Sequence, residues 1–254
     1  MRNNQPVTQR EHQFSGEETL LSATDTSSKI NYANAAFIRT SGFESAELMG
    51  QPHNLVRHPD MPVEAFADMW QTLKAGQSWT ALVKNRRKNG DFYWVRANAA
   101  PMCRNGGLEG YLSVRTKPSR TEIDAAEKLY QRFRGGTAKG LAFHRGLVVR
   151  TGLMRWASAL QLLPTAWRIR LPLALLATGL VGALAWSGLE GGALAGMATA
   201  VVLGVAAADL FIEAQITSPL RKVLHVAQQV ACGMASRDLN LNRCDDIGMV
   251  ARAI

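Results

Sequence analysis

The stretch from Leu171 to Leu210 holds just two charged residues, Glu190 and Asp209, and it constrains the fold more than any other part of the chain. Crossing about 30 Å of hydrocarbon takes about 20 helical residues. This stretch is about twice that long, and Gly188, Glu190, Gly191 and Gly192 interrupt its centre. A hairpin of two membrane-crossing helices is therefore expected over 171–188 and 192–210, with Pro172 near its start and Trp186 at an interface. No Lys or Arg lies between Arg170 and Arg221, so positive charge flanks both ends and avoids the central turn. Both ends should then face the cytoplasm. Small residues at Gly192, Gly196, Ala200, Gly204 and Ala208 form a ridge that suits either a dimer contact or packing of the hairpin on itself.

The residues before Arg170 read differently, as a polar, mixed and Arg-rich segment of the kind that folds in water. A formal charge of +9 fits nucleic-acid binding. Much of it, however, sits at Arg145, Arg150, Arg155, Arg168 and Arg170, next to the apolar stretch, where a membrane surface explains it better. The basic run Lys84–Lys88 reads as a solvated strand end and turn, so no nucleic-acid partner is expected. Cys103, Cys232 and Cys244 show no metal-ligand or paired spacing, so neither a disulfide nor a metal site is expected. Residues 1–18 are polar and lack the apolar core of a secretory signal, which keeps this half in the cytoplasm.

Local signals place the elements. Strands are expected over Thr19–Asp25 and Ser28–Ala33, joined by the turn-forming residues after Asp25. Asn34 stands at a helix N-cap before Ala35–Thr40, Gly42 ends that helix, and Ser45–Met49 makes a further turn. Asp60 and Pro62 open a longer helix with Phe66, Met69, Trp70 and Leu73 at helical spacing. Three more strands follow, Trp79–Arg86, Phe92–Pro101 and Leu108–Thr116, separated by Lys88-Asn89-Gly90-Asp91 and Asn105-Gly106-Gly107. Residues 118–170 read as a linker, with an amphipathic helix over Glu122–Arg134 broken by Gly135-Gly136 and an interfacial mixture of Arg, Leu, Met and Trp over Leu147–Trp167.

Two strands, short helices and a three-stranded meander are the order of a PAS domain, an α+β fold with a five-stranded antiparallel sheet, here over residues 19–117. The strings Gln51-Pro-His-Asn-Leu-Val-Arg-His-Pro-Asp-Met-Pro62, Phe66-Ala-Asp-Met-Trp70 and Val83-Lys-Asn-Arg-Arg-Lys-Asn-Gly-Asp91 resemble those of bacterial aerotaxis receptors. Past the membrane stretch, Ile216, Leu220, Val223, Ala227, Val230 and Met234 alternate spacings of four and three as a coiled-coil seam does. With Gly233, Leu239, Leu241 and Asp245-Asp-Ile-Gly248, this region, 211–254, resembles a HAMP domain. The resemblance implies FAD in the PAS domain and a multi-pass redox or oxygen sensor of the bacterial inner membrane. It further implies a homodimer or higher oligomer, relay to the HAMP domain of the same or a partner chain, and control of a chemotaxis kinase and adaptor through a region beyond Ile254. It implies a receptor, not an enzyme.

Strand parity then assigns a cavity face. Trp79, Ala81, Val83 and Asn85 are placed inward because Lys84 and Arg86 occupy the other face, and Tyr93, Val95, Ala97 and Ala99 suit an enclosed pocket. On the last strand periodicity alone favours Leu112 and Val114, whereas the resemblance selects Tyr111, Ser113 and Arg115, with Arg115 near the flavin's reactive edge. Arg57 is the natural partner for the pyrophosphate. His58 and Asp60 either order that loop or touch the cofactor, and the matching positions of aerotaxis receptors are needed for FAD binding. The expected cofactor-binding set is Asn34, Arg57, His58, Asp60, Trp79, Asn85, Tyr93, Tyr111 and Arg115. The alternatives are haem ligated by His53 or His58, a PAS flavoenzyme, and a PAS scaffold without a cofactor. No cysteine lies between Asn34 and Lys74, which argues against light-driven flavin–cysteine chemistry.

Overall fold

The computed structural model describes residues 4–104, 107–188, 190–231, 245, 247 and 249–250. They form two compact units, one of Met1–Arg155 with Gln228–Ala235 and the other of Trp156–Ala227 with Ser236–Ile254.

In the first unit, β1 (Leu20–Asp25), β2 (Ile30–Ala33), β3 (Trp79–Arg86), β4 (Phe92–Arg104) and β5 (Gly107–Thr116) build one antiparallel sheet in the order β2-β1-β5-β4-β3. Between β2 and β3 the chain makes α1 (Ala35–Ser41), α2 (Ser45–Leu48), a 3-10 turn at His53–Val56 and α3 (Val63–Lys74). This is the expected order, and the local chemistry explains its boundaries. Asn34 Oδ1 accepts from the Phe37 amide at 2.9 Å, which satisfies one of the orphan N–H groups of α1. Gly42 ends the same helix at φ 72°. Both β4 and β5 run further into their connection than the turn residues imply.

The sheet is covered on both faces. On the side away from α3 lies α4 (Arg120–Arg134), opened by a Ser119–Glu122 capping box. Its stripe of Ile123, Ala126 and Tyr130 is buried, and the Tyr130 hydroxyl donates to the Leu82 carbonyl at 2.6 Å. This cover changes the meaning of the basic run. Lys84 is buried beneath α4 and donates to Asp60 at 2.8 Å and Glu127 at 3.4 Å, while the buried Arg86 guanidinium donates to the Pro6 carbonyl. Arg87 donates to the Thr40 carbonyl, and Lys88 pairs with Glu47. The solvated reading is thus corrected for Lys84 and Arg86, whose main partners Asp60, Glu127 and Pro6 lie far away in sequence, while Lys88 is exposed as expected.

Residues 4–14, within the polar N-terminal stretch, are pinned along the β3–β4 turn. The Thr8 amide donates to Gly90 O at 2.8 Å, the His12 amide to Phe92 O at 2.7 Å, and Asp91 accepts from Thr8 Oγ1 and Arg10 Nε. A Cβ at Gly90, where φ is 96°, would lie 2.9 Å from Pro6 O, so glycine is what lets the tail approach. Phe14 then enters the core edge-on to Tyr93, with ring centroids 6.3 Å apart. The linker holds a further unforeseen element, a hairpin of β6 (Leu141–His144) and β7 (Leu147–Arg150), whose Phe143 packs on Phe133 of α4 at 4.7 Å.

The second unit contains α5 (Ala159–Leu162), α6 (Thr165–Trp186), α7 (Gly191–Ile212), a π-helical turn at Glu213–Thr217 and, as far as Ala227, α8 (Ser218–Ala231). Two helices, Thr165–Trp186 and the continuous Gly191–Leu224, are long and apolar enough to cross a membrane. α6 begins at Thr165, not at Leu171, because hydropathy marks where hydrocarbon can start whereas Pro164 marks where the helix can. Pro172 accordingly lies inside it. Arg170 joins the two helices through Asp209 at 3.1 Å. A methyl added at Gly192, Gly196 or Gly204 would meet nothing within 4 Å, so those positions are not where α7 grips α6. The expected seam is helical from Ser218 to Ala231, with Ile216 in the π turn. Cys232, Gly233, Met234, Leu239, Leu241, Cys244, Asp246 and Gly248 lie outside the described residues.

The pinned tail generates a test. Phe14→Ala is expected to destabilise the fold by about 3 kcal/mol, read as a lowered unfolding midpoint in detergent, whereas the exposed Glu17→Ala should change it by less than about 0.5 kcal/mol. Equal midpoints for the two variants would show that the tail contributes no core.

Candidate functional site

A cavity of about 280 Å³ lies between the sheet and α3. It exists because small side chains line up across the sheet: the register sets Ser22 opposite Ser113, Ser113 opposite Ala99, and Ala99 opposite Trp79. Nothing in that row but Trp79 is large enough to reach the helices. The roof is Phe66, Met69, Trp70 and Leu73 of α3, with His53 and Arg57 from the 3-10 turn and its cap. Trp70 meets Tyr111 edge-on at 5.2 Å, which closes one wall with aromatic surface.

The polar groups of the cavity are predominantly donors and cations. Arg115 is buried, and its guanidinium donates to Ser22 Oγ at 3.0 Å, to Ser113 O at 3.4 Å and to His53 Nε2 at 2.8 Å. A guanidinium can only donate, so His53 Nε2 must be unprotonated and its ring proton must sit on Nδ1. Burial, reinforced by the charges of Arg115 and Arg57, holds the His53 pKa down at about 3. Arg57 lies with its Cζ 3.4 Å from the centre of the Phe66 ring. Burial lowers the pKa of both Arg57 and Arg115 to about 10, which leaves both charged at neutral pH. No Asp or Glu lines the cavity, and among the described residues no carboxylate forms an ion pair with either guanidinium. Arg57 Nε is buried without a hydrogen-bond partner, while the Asn85 side chain interacts with the Tyr93 hydroxyl. The buried Arg115, the half-buried Arg57 and the unused Arg57 Nε–H, set in an aromatic slot, suit an anionic, planar ligand.

Of the residues singled out in the sequence, Arg57, Trp79, Asn85, Tyr111 and Arg115 are in the cavity wall. Arg115 can face inward because Ser22, His53 and the Ser113 carbonyl satisfy it, which periodicity could not foresee. The structure puts the other four elsewhere. Asn34 spends its side chain on the Phe37 and Leu21 amides and the Thr19 carbonyl. Tyr93 lies beyond the cavity against Phe14, and burial raises its pKa to about 12. His58 packs edge-on to Phe92 and accepts the Asp60 amide on Nδ1, with burial lowering its pKa to about 4. Asp60 faces Lys84 and Arg134; burial alone would raise its carboxyl, but the Lys84 hydrogen bond and charge, with His58 and Arg134, hold it below its ordinary range.

Ser22 and Thr24 escaped the sequence reading as cavity residues, and His53 entered it only as an alternative haem ligand. Polar side chains on β1 look like a solvent face, and their role emerges only through the pairing with β5. Phe66, Met69, Trp70 and Leu73 were visible as an apolar helix face, but periodicity cannot distinguish a face that packs from one that roofs a hollow.

The neutral His53 has a pH consequence. Its pKa of about 3 lies below the ordinary 6.5, so between those values the unfolded chain binds a proton that the folded one does not. The stability it contributes is fully present above pH 6.5 and is lost as the pH falls towards 3, at about 1.4 kcal/mol per pH unit. His53→Gln, whose amide oxygen can still accept from Arg115, should therefore lose stability less steeply between about pH 6 and pH 4. Parallel unfolding curves at several pH values decide this, and identical slopes would assign the acid sensitivity to other groups.

Residues 30–115 match the family described as PAS fold. An aerotaxis receptor of Escherichia coli (strain K12) is 45% identical over 251 residues, which is 98% of this chain and 47% of the receptor. A nitrogen fixation regulatory protein of Klebsiella oxytoca is 35% identical over 115 residues, 45% of this chain and 22% of that protein. A light-oxygen-voltage domain structure superposes with a TM-score of 0.39 at 23% identity, covering 45% of this chain and 86% of that one. The chain spans about half the length of the receptor it matches and less of the regulatory protein. Its first unit thus carries a PAS domain, and over 98% of its residues the chain is a relative of an aerotaxis receptor.

Proposed function

We propose that the cavity holds a flavin, as FAD, and that the chain is the sensing and membrane-anchoring part of a redox or oxygen sensor for aerotaxis. The observation that carries this is the pair of guanidiniums at the cavity, the buried Arg115 and the half-buried Arg57, with no carboxylate among the lining residues to neutralise them. At about 280 Å³ the cavity suits one fused-ring group, being at the lower limit of ligand pockets, about 300–1,000 Å³, so the dinucleotide tail would lie outside the mouth. Arg57 would bind the phosphate charge, Trp79 and Tyr111 would flank the ring system, and Asn85 and Arg115 would donate to its polar edge. A bound flavin supplies reversible electron transfer within the cavity. Haem is less well served: the Nε2 lone pair of His53 already accepts from Arg115, and His58 is outside the wall.

The residues themselves provide a route outward. A change of charge in the cavity alters how Arg115 shares its N–H groups between His53 and the ligand, and it acts on Asn85 at the end of β3. The preceding residue, Lys84, points to the opposite face, where Asp60 and Glu127 of α4 meet its ammonium. His58 and Asp60 act on this reading by fixing the loop that carries Arg57. From there the signal passes to a HAMP domain of the same or a partner chain and, in the full-length protein, to a chemotaxis kinase and adaptor, without substrate turnover. The apolar helices support an anchor in the bacterial inner membrane with both ends cytoplasmic, and the coiled-coil seam supports a dimer or higher oligomer.

The test is the visible absorbance of the detergent-purified chain. Wild type should carry flavin, Arg57→Ala should bind it at least about tenfold more weakly, and Arg115→Ala should shift its spectrum or potential. A colourless wild type, a haem spectrum, or full flavin occupancy in Arg57→Ala would refute the assignment.

A further inference from the structure

The β6–β7 hairpin closes through Arg145 and Gly146, with φ of 53° and 84°. Positive φ at both central residues is the type I′ geometry that suits twisted strands. It leaves both turn amides free of the hairpin ladder, and at Arg145 it carries strain that something must offset. Both amides donate to one carboxylate: Arg145 N to Asp68 Oδ1 at 2.8 Å and Gly146 N to Asp68 Oδ2 at 2.7 Å. Asp68 comes from α3 and is 7% exposed. Its third donor is the indole of Trp79, whose Nε1 reaches Oδ2 at 2.8 Å. Trp79 is 1% exposed, and its ring belongs to the cavity wall. The tip has no slack, because a Cβ on Gly146 would fall 1.9 Å from the carbonyl of Thr80, the residue after Trp79.

One buried carboxylate therefore ties the cavity wall to the tip of the segment that leads, in sequence, to the membrane helices. We propose that Asp68 is a positioning residue that sets the Trp79 ring at the cavity and couples what the cavity holds to the docking of the 141–150 hairpin. The proposal rests on the cavity being a ligand site. The indole N–H and the Gly146 amide share Oδ2, so a displacement of the ring by a ligand redistributes a charge-assisted bond between wall and tip. Linkage makes the effect reciprocal: a hairpin held more or less firmly must change ligand affinity by the same factor.

Hydrogen exchange on the detergent-purified chain tests this, with its bound flavin and after the flavin is stripped. The Arg145 and Gly146 amides should exchange at rates differing by about fivefold or more between the two forms, and the difference should vanish in Trp79→Phe. Gly146→Ala, outside the cavity, should change the flavin Kd by a similar factor, which keeps the test decisive if Trp79→Phe no longer holds flavin. A flavin-loaded protein whose tip amides exchange at the same rate in both forms, or a Gly146→Ala chain with unchanged Kd, overturns the coupling and leaves the cavity assignment standing. A chain that binds no flavin at all overturns both.

Discussion

The contact between Arg115 and His53 is the constraint on which the first unit turns. A guanidinium buried in an apolar hollow needs acceptors, and the chain gives it a neutral imidazole, a serine hydroxyl and a backbone carbonyl in place of a carboxylate. A carboxylate would have neutralised the site. A neutral acceptor orients the guanidinium and leaves its charge unspent. The same choice dictates the protonation state of His53, and it accounts for polar Ser22 and Ser113 lying on the inner face of a sheet whose neighbouring positions are alanine and valine.

Acidic side chains that could have spoiled this arrangement are engaged elsewhere. Asp60 and Glu127 serve Lys84 on the far face of the sheet, Asp91 pins the N-terminal segment, and Asp68 faces backbone amides and an indole. The alternation of β3 is what keeps the two environments apart while joining them mechanically. Asn85 faces the hollow and Lys84 faces α4, one residue apart, so a shift of the strand is felt on both sides. Trp79, at the other end of β3, does the same through its ring, with Asp68 and the hairpin behind it. Both ends of one edge strand thus connect the cavity to the elements that cover the unit from outside.

Much of the fold was legible from sequence because its signals are local. Asn34 and Gly42 bracket a helix, Gly90 makes a turn, and alternation from Trp79 to Asn85 gives the inner face. What was not legible depends on distant partners. The docking of the N-terminal segment was not visible because its core residue, Phe14, stands among polar ones, and the backbone acceptors it uses come from Gly90 and Phe92. The β6–β7 hairpin was missed because Arg145 occupies a turn position that favours glycine or asparagine, and the compensation comes from Asp68, far back in the sequence. For the cavity, parity found Trp79 and Asn85, and resemblance was needed for Arg115. His58 and Asp60 show the converse: a distinctive string lies outside the cavity wall, and on the proposed reading it holds the loop from which Arg57 reaches in.

The uncompensated charge also sets the energetics. A desolvated guanidinium at Arg115 and a partly desolvated one at Arg57, without counter-ions, cost the ligand-free fold free energy, and that cost is recovered when an anion enters. Stability and occupancy are then linked, so the same charge that selects the ligand makes the elements packed around the cavity responsive to it. A cavity built with an internal Arg–carboxylate pair would be more stable alone and less able to report. On the proposed reading the sensitivity of the sensor and the marginal stability of its ligand-free state are one property, located in Arg57 and Arg115.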